Sequence, residues 1–183
     1  MKSFKVYDET DAPEKSQAQL AAIKKSFGFV PNVVGVLAES PPVLDAYLDL
    51  KKKLETTSFS PQELQVIYLS INRANGCTYC MAIHTGMAKS IQVPENIIAS
   101  LRNGTPLDDP RLDALAEFTD KMVEKQGWLD AEDVDEFLSA GYTQANVLDV
   151  ILAVAQKTIS NYSNHIAHTP VDKEMSEFVW EGK

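Results

Sequence analysis

The stretch that decides the fold is residues 60–90, SPQELQVIYLSINRANGCTYCMAIHTGMAKS, which predicts two helices joined by a tight turn. Ser60 suits the N-cap of the first helix, because a proline follows at the first helical position and Glu63 stands at the third. The turn dipeptide Asn75-Gly76 ends that helix, and the second helix begins near Cys77. Residues 60–90 are therefore predicted to be helical on both sides of one turn.

Helical periodicity extends over nearly the whole chain, without a convincing strand. We predict an all-α fold of about eight to ten helices in a single domain, residues 1–183. A polar arm, residues 1–12, precedes the first helix, and segment 104–110 is the best candidate for a boundary between two helical lobes. The predicted helices cover residues 13–27, 31–38, 43–56, 60–74, 77–90, 94–102, 110–126, 130–140, 143–167 and 171–180.

Composition and charge exclude several classes of protein. Of the 183 residues, 44% are hydrophobic and 23% are charged, which excludes a disordered or fibrous chain. With 17 Lys and Arg against 26 Asp and Glu, the net charge is −9, so neither nucleic acid nor a membrane is an expected partner. No apolar run approaches the ~20 residues of a membrane span, and the N-terminus has no apolar signal segment, so we expect a cytoplasmic protein.

The cysteines are the main chemical signal. Cys77 and Cys80 are three residues apart, and His84 follows four residues after Cys80, so all three share one face of the predicted helix. The two sulfurs can meet at this spacing, and His84 can reach the Cys80 sulfur. In a reducing compartment, such a close pair favours redox or metal chemistry over a disulfide scaffold.

Two features of this helix can produce a thiolate. A free thiol with a pKa of ~8.5 is mostly protonated at neutral pH, but the helix N-terminus favours an anion at Cys77, and His84 can take the proton of Cys80. A thiolate attacks a peroxide and becomes a sulfenic acid, which a second thiol converts to a disulfide. An external dithiol then restores the pair by exchange. This chemistry needs no metal and no organic cofactor beyond the redox-active disulfide.

The roles of the two cysteines stay open at this point. We assign Cys80 as the attacking thiol because His84 is its neighbour, and Cys77 as the resolving thiol. The opposite assignment is also consistent with the sequence, because the N-terminal cysteine of a C-x-x-C helix feels the helix dipole most.

Two other interpretations of the cysteines compete with redox chemistry. Buried cysteines are often small core residues. A zinc site is the second alternative, with Cys77, Cys80, His165 and His168 as a Cys₂His₂ set. Against zinc, both pairs fall within predicted helices, and the 84 residues between Cys80 and His165 far exceed the spacing of a compact finger.

These residues resemble the carboxymuconolactone decarboxylase and AhpD-like alkylhydroperoxidase superfamily, and most of all its peroxidase-related members. The resemblance covers roughly residues 25–170. It depends on Ser60-Pro61-Gln62-Glu63, Asn75-Gly76-Cys77-Thr78-Tyr79-Cys80 and His84, with similar flanking segments at Gly28-Phe29-Val30-Pro31-Asn32 and Asn161-Tyr162-Ser163-Asn164-His165.

The resemblance implies an all-helical, AhpD-like fold that assembles into homo-oligomers, commonly trimers or hexamers. It also implies a peroxidase of peroxiredoxin type that reduces hydroperoxides through a cysteine pair, with a downstream histidine and an upstream glutamate in a proton relay. Carried over to this sequence, Cys77 and Cys80 are the redox pair and His84 is the relay histidine. The implied partners are a small hydroperoxide and a dithiol or protein reductant.

The sequence departs from the family pattern at two positions. Gln65 stands where the relay glutamate is expected, and Tyr79 stands where a histidine separates the cysteines. Gln65 can orient a water or a histidine but cannot accept a proton. Glu63 lies about 200° around the helix from that position, so it is either the capping partner of Ser60 or a displaced relay residue.

A second polar cluster lies near the end of the long helix. Asn161, His165 and His168 share one face, at spacings of four and three. They either cap the helix end, where a cationic histidine is favoured, or bring His165, together with Asn161, to the cysteine pair in place of the missing histidine. Tyr162 and Trp180 are predicted to be packing residues or oligomer contacts.

The leading hypothesis is a thiol-dependent hydroperoxide reductase with antioxidant activity. One alternative is a decarboxylase-like or lactone-processing enzyme of aromatic catabolism, whose anionic substrate requires arginines at the site. Arg73 and Arg102 are the obvious candidates, although Arg73 is predicted to face solvent. The other alternative is a non-enzymatic thiol redox sensor or an oligomeric binding module.

Overall fold

The computed structural model describes residues 4–182, which contain nine α-helices, one 3-10 helix and no strand. The all-α prediction is therefore confirmed. Residues 1–3 of the predicted arm and Lys183 lie outside the described residues. The helices are α1 Glu14–Phe27, α2 Asn32–Leu37, α3 Pro41–Leu54, α4 Pro61–Ala74, α5 Thr78–Ser90, α6 Glu95–Asn103, α7 Pro110–Glu124, α8 Ala131–Ser139, α9 Gln144–Ala167 and the 3-10 helix Lys173–Phe178.

Local signals in the sequence account for the helix limits. At the start of α4 the Ser60 hydroxyl accepts from the Glu63 N–H at 3.2 Å, and the Glu63 carboxylate accepts from the Ser60 N–H at 2.8 Å. This reciprocal pair is the predicted capping box. Gly28 and Gly104 follow α1 and α6 in the left-handed conformation, with φ of 88° and 69°. A residue with a β-carbon is disfavoured there, and each helix ends.

Helix α4 lies at the centre of the molecule. Ten of its fourteen residues are buried, so it contacts neighbours on all sides. It packs mainly against α5 and α7, and also against α6 and α9. Helix α5, which carries the cysteines, is thereby held between α4, α9 and the 3-10 helix.

The core consists of two clusters of buried side chains. One contains α4, α6, α7 and α8, and continues through Leu101, Leu107 and Leu112 across the predicted lobe boundary at 104–110. The other contains α1, α2, α3 and the first turns of α5, including both cysteines. Helix α5 contributes to both clusters, so the site lies where they meet.

No single helix within residues 4–182 combines the length and apolarity needed to cross a membrane. Helices α8 and α9 together have the length and the apolar composition of a membrane span, but they are bent by 110° at the break between them.

Candidate active site

The turn between α4 and α5 places the first cysteine. Gly76 has a φ of 64°, which lets the chain reverse direction directly after α4. The Cys77 N–H then donates to the Asn72 carbonyl at 2.8 Å, and the Asn72 side chain donates to the Cys80 carbonyl at 3.2 Å. Cys77 is therefore the N-cap of α5, and Cys80 lies in the first turn of that helix.

The Cys80 sulfur is held by side chains of α9. It is 3% exposed, accepts a hydrogen bond from Asn164 Nδ2 at 3.2 Å and lies 3.9 Å from Ser160 Oγ. Burial opposes its ionisation. Hydrogen bonds from Cys77, Asn164 and Asn161, together with the charge of Lys157, outweigh burial and lower the pKa of Cys80 to about 5. These groups therefore favour the thiolate form of Cys80 at neutral pH.

Cys77 has the opposite character. Its hydrogen bond to the Cys80 sulfur and its own burial raise the pKa of Cys77 above its usual range. The reduced pair thus consists of a Cys77 thiol that donates to a Cys80 thiolate. Both cysteines are free, and this asymmetry favours Cys80 as the attacking sulfur and Cys77 as the resolving thiol.

His84 does not pair directly with Cys80, contrary to the prediction from helical spacing. Its Nδ1 lies 3.0 Å from Gln65 Oε1, and its Nε2 lies 3.0 Å from Lys157 Nζ. Burial and the charges of Lys157 and Lys51 hold the pKa of His84 well below its usual range, so the ring is neutral. Because an ammonium group has no acceptor, Nε2 accepts from Lys157 and Nδ1 donates to Gln65. Gln65 therefore orients the ring.

Lys157 is, together with Asn164, a site residue that the sequence patterns did not identify. It lies on α9, is only 1% exposed and connects His84 to the surroundings of Cys80. A signal for it exists in the sequence. Val150, Ala153, Lys157 and Asn164 fall on one helical stripe, and all four are buried. A lysine on an otherwise apolar or amide-bearing stripe indicates a buried charge.

A cavity of about 140 Å³ lies beside His84. Ile83, His84 and Met87 line it from α5, and Ile83 and His84 lie one helical turn after Cys80 on the same face. The buried carbonyl oxygen of Gln156 has no hydrogen-bond partner within the described residues. The remaining wall is mostly apolar and aromatic, with polar atoms from Gln156, Tyr47, Tyr68, Ser26 and Lys51.

A second, more polar pocket of about 330 Å³ borders Cys77 on the other side of the pair. His165, His168 and Asn164 line it, so the predicted approach of His165 to the cysteines is towards Cys77. Within residues 4–182 no group of three or more His, Cys, Asp or Glu side chains is arranged to hold a metal ion. The alternative zinc set of Cys77, Cys80, His165 and His168 is not assembled.

Asn161 connects α9 to the cysteine turn. Its side chain donates to Asn72 Oδ1 at 3.1 Å and accepts from Asn75 Nδ2 at 2.8 Å. It also hydrogen-bonds to Cys80. Tyr79, at the position of the family histidine, donates to Asp172 at 2.6 Å and accepts from the Val33 N–H at 3.1 Å. Tyr79 is therefore a structural residue here, whereas Asn161 contacts the thiolate.

Glu63 takes no part in the site. Besides capping α4, its carboxylate accepts from Tyr142 at 3.1 Å and pairs with Arg111 at 3.0 Å. None of these partners belongs to the cysteine helix. The prediction of Glu63 as a relay residue was therefore wrong, because the capping geometry turns its side chain towards α7.

The two arginines suggested for an anionic substrate are also engaged elsewhere. Arg73 forms a largely buried ion pair with Asp120, so the prediction that it faces solvent was wrong. Arg102 donates to the Thr85 hydroxyl at 2.8 Å and to two carbonyls of the C-terminal segment. Trp180 packs in the core and donates to the Arg102 carbonyl, which confirms its predicted packing role.

Comparisons with known proteins agree with this architecture. The sequence model of the Carboxymuconolactone decarboxylase family matches residues 41–121, which include α3, α4 and the cysteine helix. No curated protein gives a significant match.

Solved structures share the fold over nearly the whole chain. An alkylhydroperoxidase AhpD core, an uncharacterized peroxidase-related protein from Ralstonia eutropha JMP134, has a TM-score of 0.83 at 18% identity, covering 99% of this chain and 97% of that one. A peroxidase-related protein from Silicibacter sp. TM1040 has a TM-score of 0.80 at 19% identity, covering 94% and 91%. The debrominase Bmp8, as its C82A variant with 2,3,4-tribromopyrrole, has a TM-score of 0.76 at 19% identity, covering 97% of each chain.

The matched segment, the capped helix before the cysteine turn and the shared fold agree with one another. Residues 41–121 match the sequence model of the Carboxymuconolactone decarboxylase family, and the chain as a whole has the fold of an AhpD core.

Proposed function

We propose that the protein is a thiol-dependent oxidoreductase that reduces small organic hydroperoxides through Cys77 and Cys80. The observation that carries this proposal is the buried Cys80 sulfur, to which Asn164 Nδ2 donates at 3.2 Å and the Cys77 thiol hydrogen-bonds, so that its pKa is lowered to about 5. A sulfur with this low pKa is ionised at neutral pH, and its resolving partner is already in contact with it.

The reaction follows in three steps. The Cys80 thiolate attacks the terminal oxygen of the hydroperoxide, the O–O bond breaks, and the leaving alkoxide takes a proton to become an alcohol. The Cys77 thiol then attacks the Cys80 sulfenic acid, which forms the disulfide and releases water. An external dithiol or protein reductant restores the pair by exchange and is itself oxidised to a disulfide.

The two sides of the cysteine pair suit these two reactants. The cavity beside His84 is about the size of a cavity that holds a benzene molecule, so it fits a short alkyl or one-ring group. Gln156 adds a polar side chain to the otherwise mostly apolar wall. The polar pocket beside Cys77 offers the reductant a separate approach to the resolving sulfur.

Reductive dehalogenation is the second candidate. A thiolate can take a halogen atom from an electron-rich ring while the ring carbon gains a proton. Cys77 then displaces halide to give the same disulfide. The ring-sized apolar cavity favours this candidate, and one protein of the same fold is a debrominase. The carboxymuconolactone alternative is weaker, because neither Arg73 nor Arg102 reaches the cavity.

Turnover assays with purified protein test the proposal. We expect hydroperoxide consumption that depends on a dithiol and is lost in both Cys77→Ser and Cys80→Ser, whereas the exposed control Lys52→Ala keeps wild-type activity. Activity that survives in both cysteine variants would overturn the mechanism. Bromide release from a brominated pyrrole without hydroperoxide turnover identifies the second candidate, and a single slow oxidation without turnover identifies a redox sensor.

A further inference from the structure

Lys157 is a buried cation without a carboxylate partner. Its side chain is 1% exposed, and no carboxylate oxygen of the described residues lies within ion-pair distance of its nitrogen. Its nitrogen hydrogen-bonds to His84 Nε2 at 3.0 Å, and the Tyr68 ring centre lies 5.6 Å away. Both are uncharged. A buried ammonium needs a counter-charge, because desolvation of an unpaired ion is expensive.

Among the described residues, the group that can supply this counter-charge is the Cys80 thiol, which the charge of Lys157 affects. The charge of Lys157 acts on both cysteines, and it favours the thiolate of each. Lys157 and Asn164 lie two turns apart on α9, on the face that covers the first turn of α5. The sulfur is thus hydrogen-bonded by one α9 side chain and charge-balanced by another.

We propose that Lys157 is the counter-ion of the Cys80 thiolate and releases its proton when the cysteine pair is oxidised. This inference depends on the redox role of the pair but not on the identity of the oxidant. The reduced site contains a Cys77 thiol, a Cys80 thiolate and a Lys157 ammonium. The oxidised site contains the disulfide and a neutral Lys157 amine, so both states have zero net charge.

The protons balance in both directions. During hydroperoxide reduction, the proton that leaves Lys157 goes to the alkoxide, and the Cys77 proton leaves with the sulfenic oxygen as water. When a dithiol reduces the disulfide, its two protons return to Cys77 and Lys157. Gln65 keeps the His84 ring oriented so that Nε2 accepts from Lys157, which makes Gln65 a positioning residue.

Other titratable groups face this site, and they must be separated from Lys157. Burial keeps Tyr47 and Tyr68 protonated by raising the pKa of each, and His84 stays neutral because its pKa is lowered. The groups that face the site are Tyr47 and Lys51 from α3, Tyr68 from α4, Cys77, Tyr79, Cys80 and His84 from α5, and His165 beside Cys77. A His165→Asn background identifies any contribution of that exposed imidazole.

The first test is the thiolate titration of the reduced full-length protein, followed by ultraviolet thiolate absorbance. We expect a midpoint near pH 5 in the wild type. Lys157→Met, which keeps the length of the side chain, is expected to shift the midpoint upward by at least two pH units, and Lys157→Arg is expected to restore a low value. If Lys157 had a purely structural role, the thiolate midpoint would not depend on whether the replacement side chain is charged. An unchanged midpoint in a folded Lys157→Met variant overturns the proposal.

The second test measures the reduction potential of the Cys77–Cys80 pair as a function of pH, and it needs no variant. If reduction takes up two protons between pH 6 and 8, the equilibrium constant for reduction of the pair changes about a hundredfold per pH unit. This corresponds to a change of about 59 mV per pH unit in the reduction potential. If Lys157 stays charged in the oxidised state, only one proton is taken up, and the equilibrium constant changes about tenfold per pH unit. The reduction potential then changes by about 30 mV per pH unit, which overturns the proposed proton release. Neither test uses peroxide. A protein with the expected titration and slope but no turnover refutes the proposed function alone, whereas a pair that forms no disulfide refutes both.

Discussion

At the scale of single residues, the reactivity of Cys80 is set by a helix far from it in sequence. Cys77, Cys80 and His84 were predictable because their spacing is local and places them on one helical face. Asn161 was one candidate to face the cysteine pair, and it hydrogen-bonds to Cys80. Lys157 and Asn164 were not assigned to the sulfur, because the packing of α9 against α5 joins residues about 80 positions apart. No local pattern encodes that contact.

Asn164 is expected to stabilise the thiolate directly. A hydrogen bond to a charged group contributes about 1.5–3 kcal/mol, so Asn164→Ala should raise the pKa of Cys80 by about one to two units. The rate of alkylation by iodoacetamide, measured against pH, reports this shift. Ser163→Ala, on the same helix but directed into a different groove, is the matched control. Equal midpoints for the two variants would show that Asn164 does not act on the sulfur.

The stability of the reduced protein should depend on pH with a definite sign. The pKa of Cys80 is lowered from 9.0 to about 5, so between these values the unfolded chain binds one more proton than the folded one. The contribution of the Cys80 thiolate to the free energy of unfolding is therefore fully present above about pH 9, and it is lost as the pH falls towards 5. His84, whose pKa is also lowered, acts in the same direction below about pH 6.5.

Urea denaturation of the reduced protein at pH 8 and pH 5.5 measures this dependence. We expect a clear loss of unfolding free energy at the lower pH, and a smaller loss in Cys80→Ala, which has no thiolate. A wild-type protein as stable at pH 5.5 as at pH 8 contradicts the assignment of the thiolate.

At the scale of elements, caps and turns made the helices predictable. Ser60 and Glu63 marked the start of α4, and Gly28 and Gly104 marked the ends of α1 and α6. The last predicted helix is a 3-10 helix instead, Lys173–Phe178, which packs over α5. The role of Glu63 required the structure, because a capping residue and a relay residue have the same sequence signature.

Two substitutions in α4 separate the cap from the site. Glu63→Ala should lower the free energy of unfolding by about 0.5–2 kcal/mol through loss of the capping box, with unchanged turnover per folded molecule. Gln65→Leu leaves the buried His84 Nδ1–H without an acceptor, which costs about 1–3 kcal/mol, and it should also reduce turnover. Thermal denaturation and dithiol-dependent peroxide turnover measure both. A tenfold loss of turnover in a folded Glu63→Ala variant would restore its relay role.

At the scale of the whole molecule, α9 has two faces with different partners. Its buried face contacts the cysteine helix, and its other face exposes four large apolar side chains on one helical stripe, at spacings of three, eleven and four residues. Leu148, Ile151, Tyr162 and Ile166 on this stripe are 46–66% exposed. A groove of about 430 Å³ runs beside Tyr162 and Ile166. We propose that a second copy of the chain covers this stripe, as the expected homo-oligomer requires.

Light scattering with size-exclusion chromatography tests this surface. The wild type is expected to elute as an oligomer, and Ile151→Lys combined with Ile166→Lys is expected to lower its mass. Trp128→Ser removes the most exposed large apolar side chain, 86% exposed and away from the stripe, and should leave the mass unchanged. A monomeric wild type, or equal loss of mass in both variants, contradicts the proposed interface.

The most direct test of the account is a single turnover followed by mass spectrometry. Fully reduced protein receives one equivalent of an organic hydroperoxide, and remaining thiols are trapped by rapid alkylation. With Cys80 as the attacking sulfur, we expect a Cys77–Cys80 disulfide in the wild type and one added oxygen on Cys80 in the Cys77→Ser variant. Oxidation of Cys77 at the wild-type rate in the Cys80→Ser variant, or two unmodified sulfurs in the wild type, would contradict it.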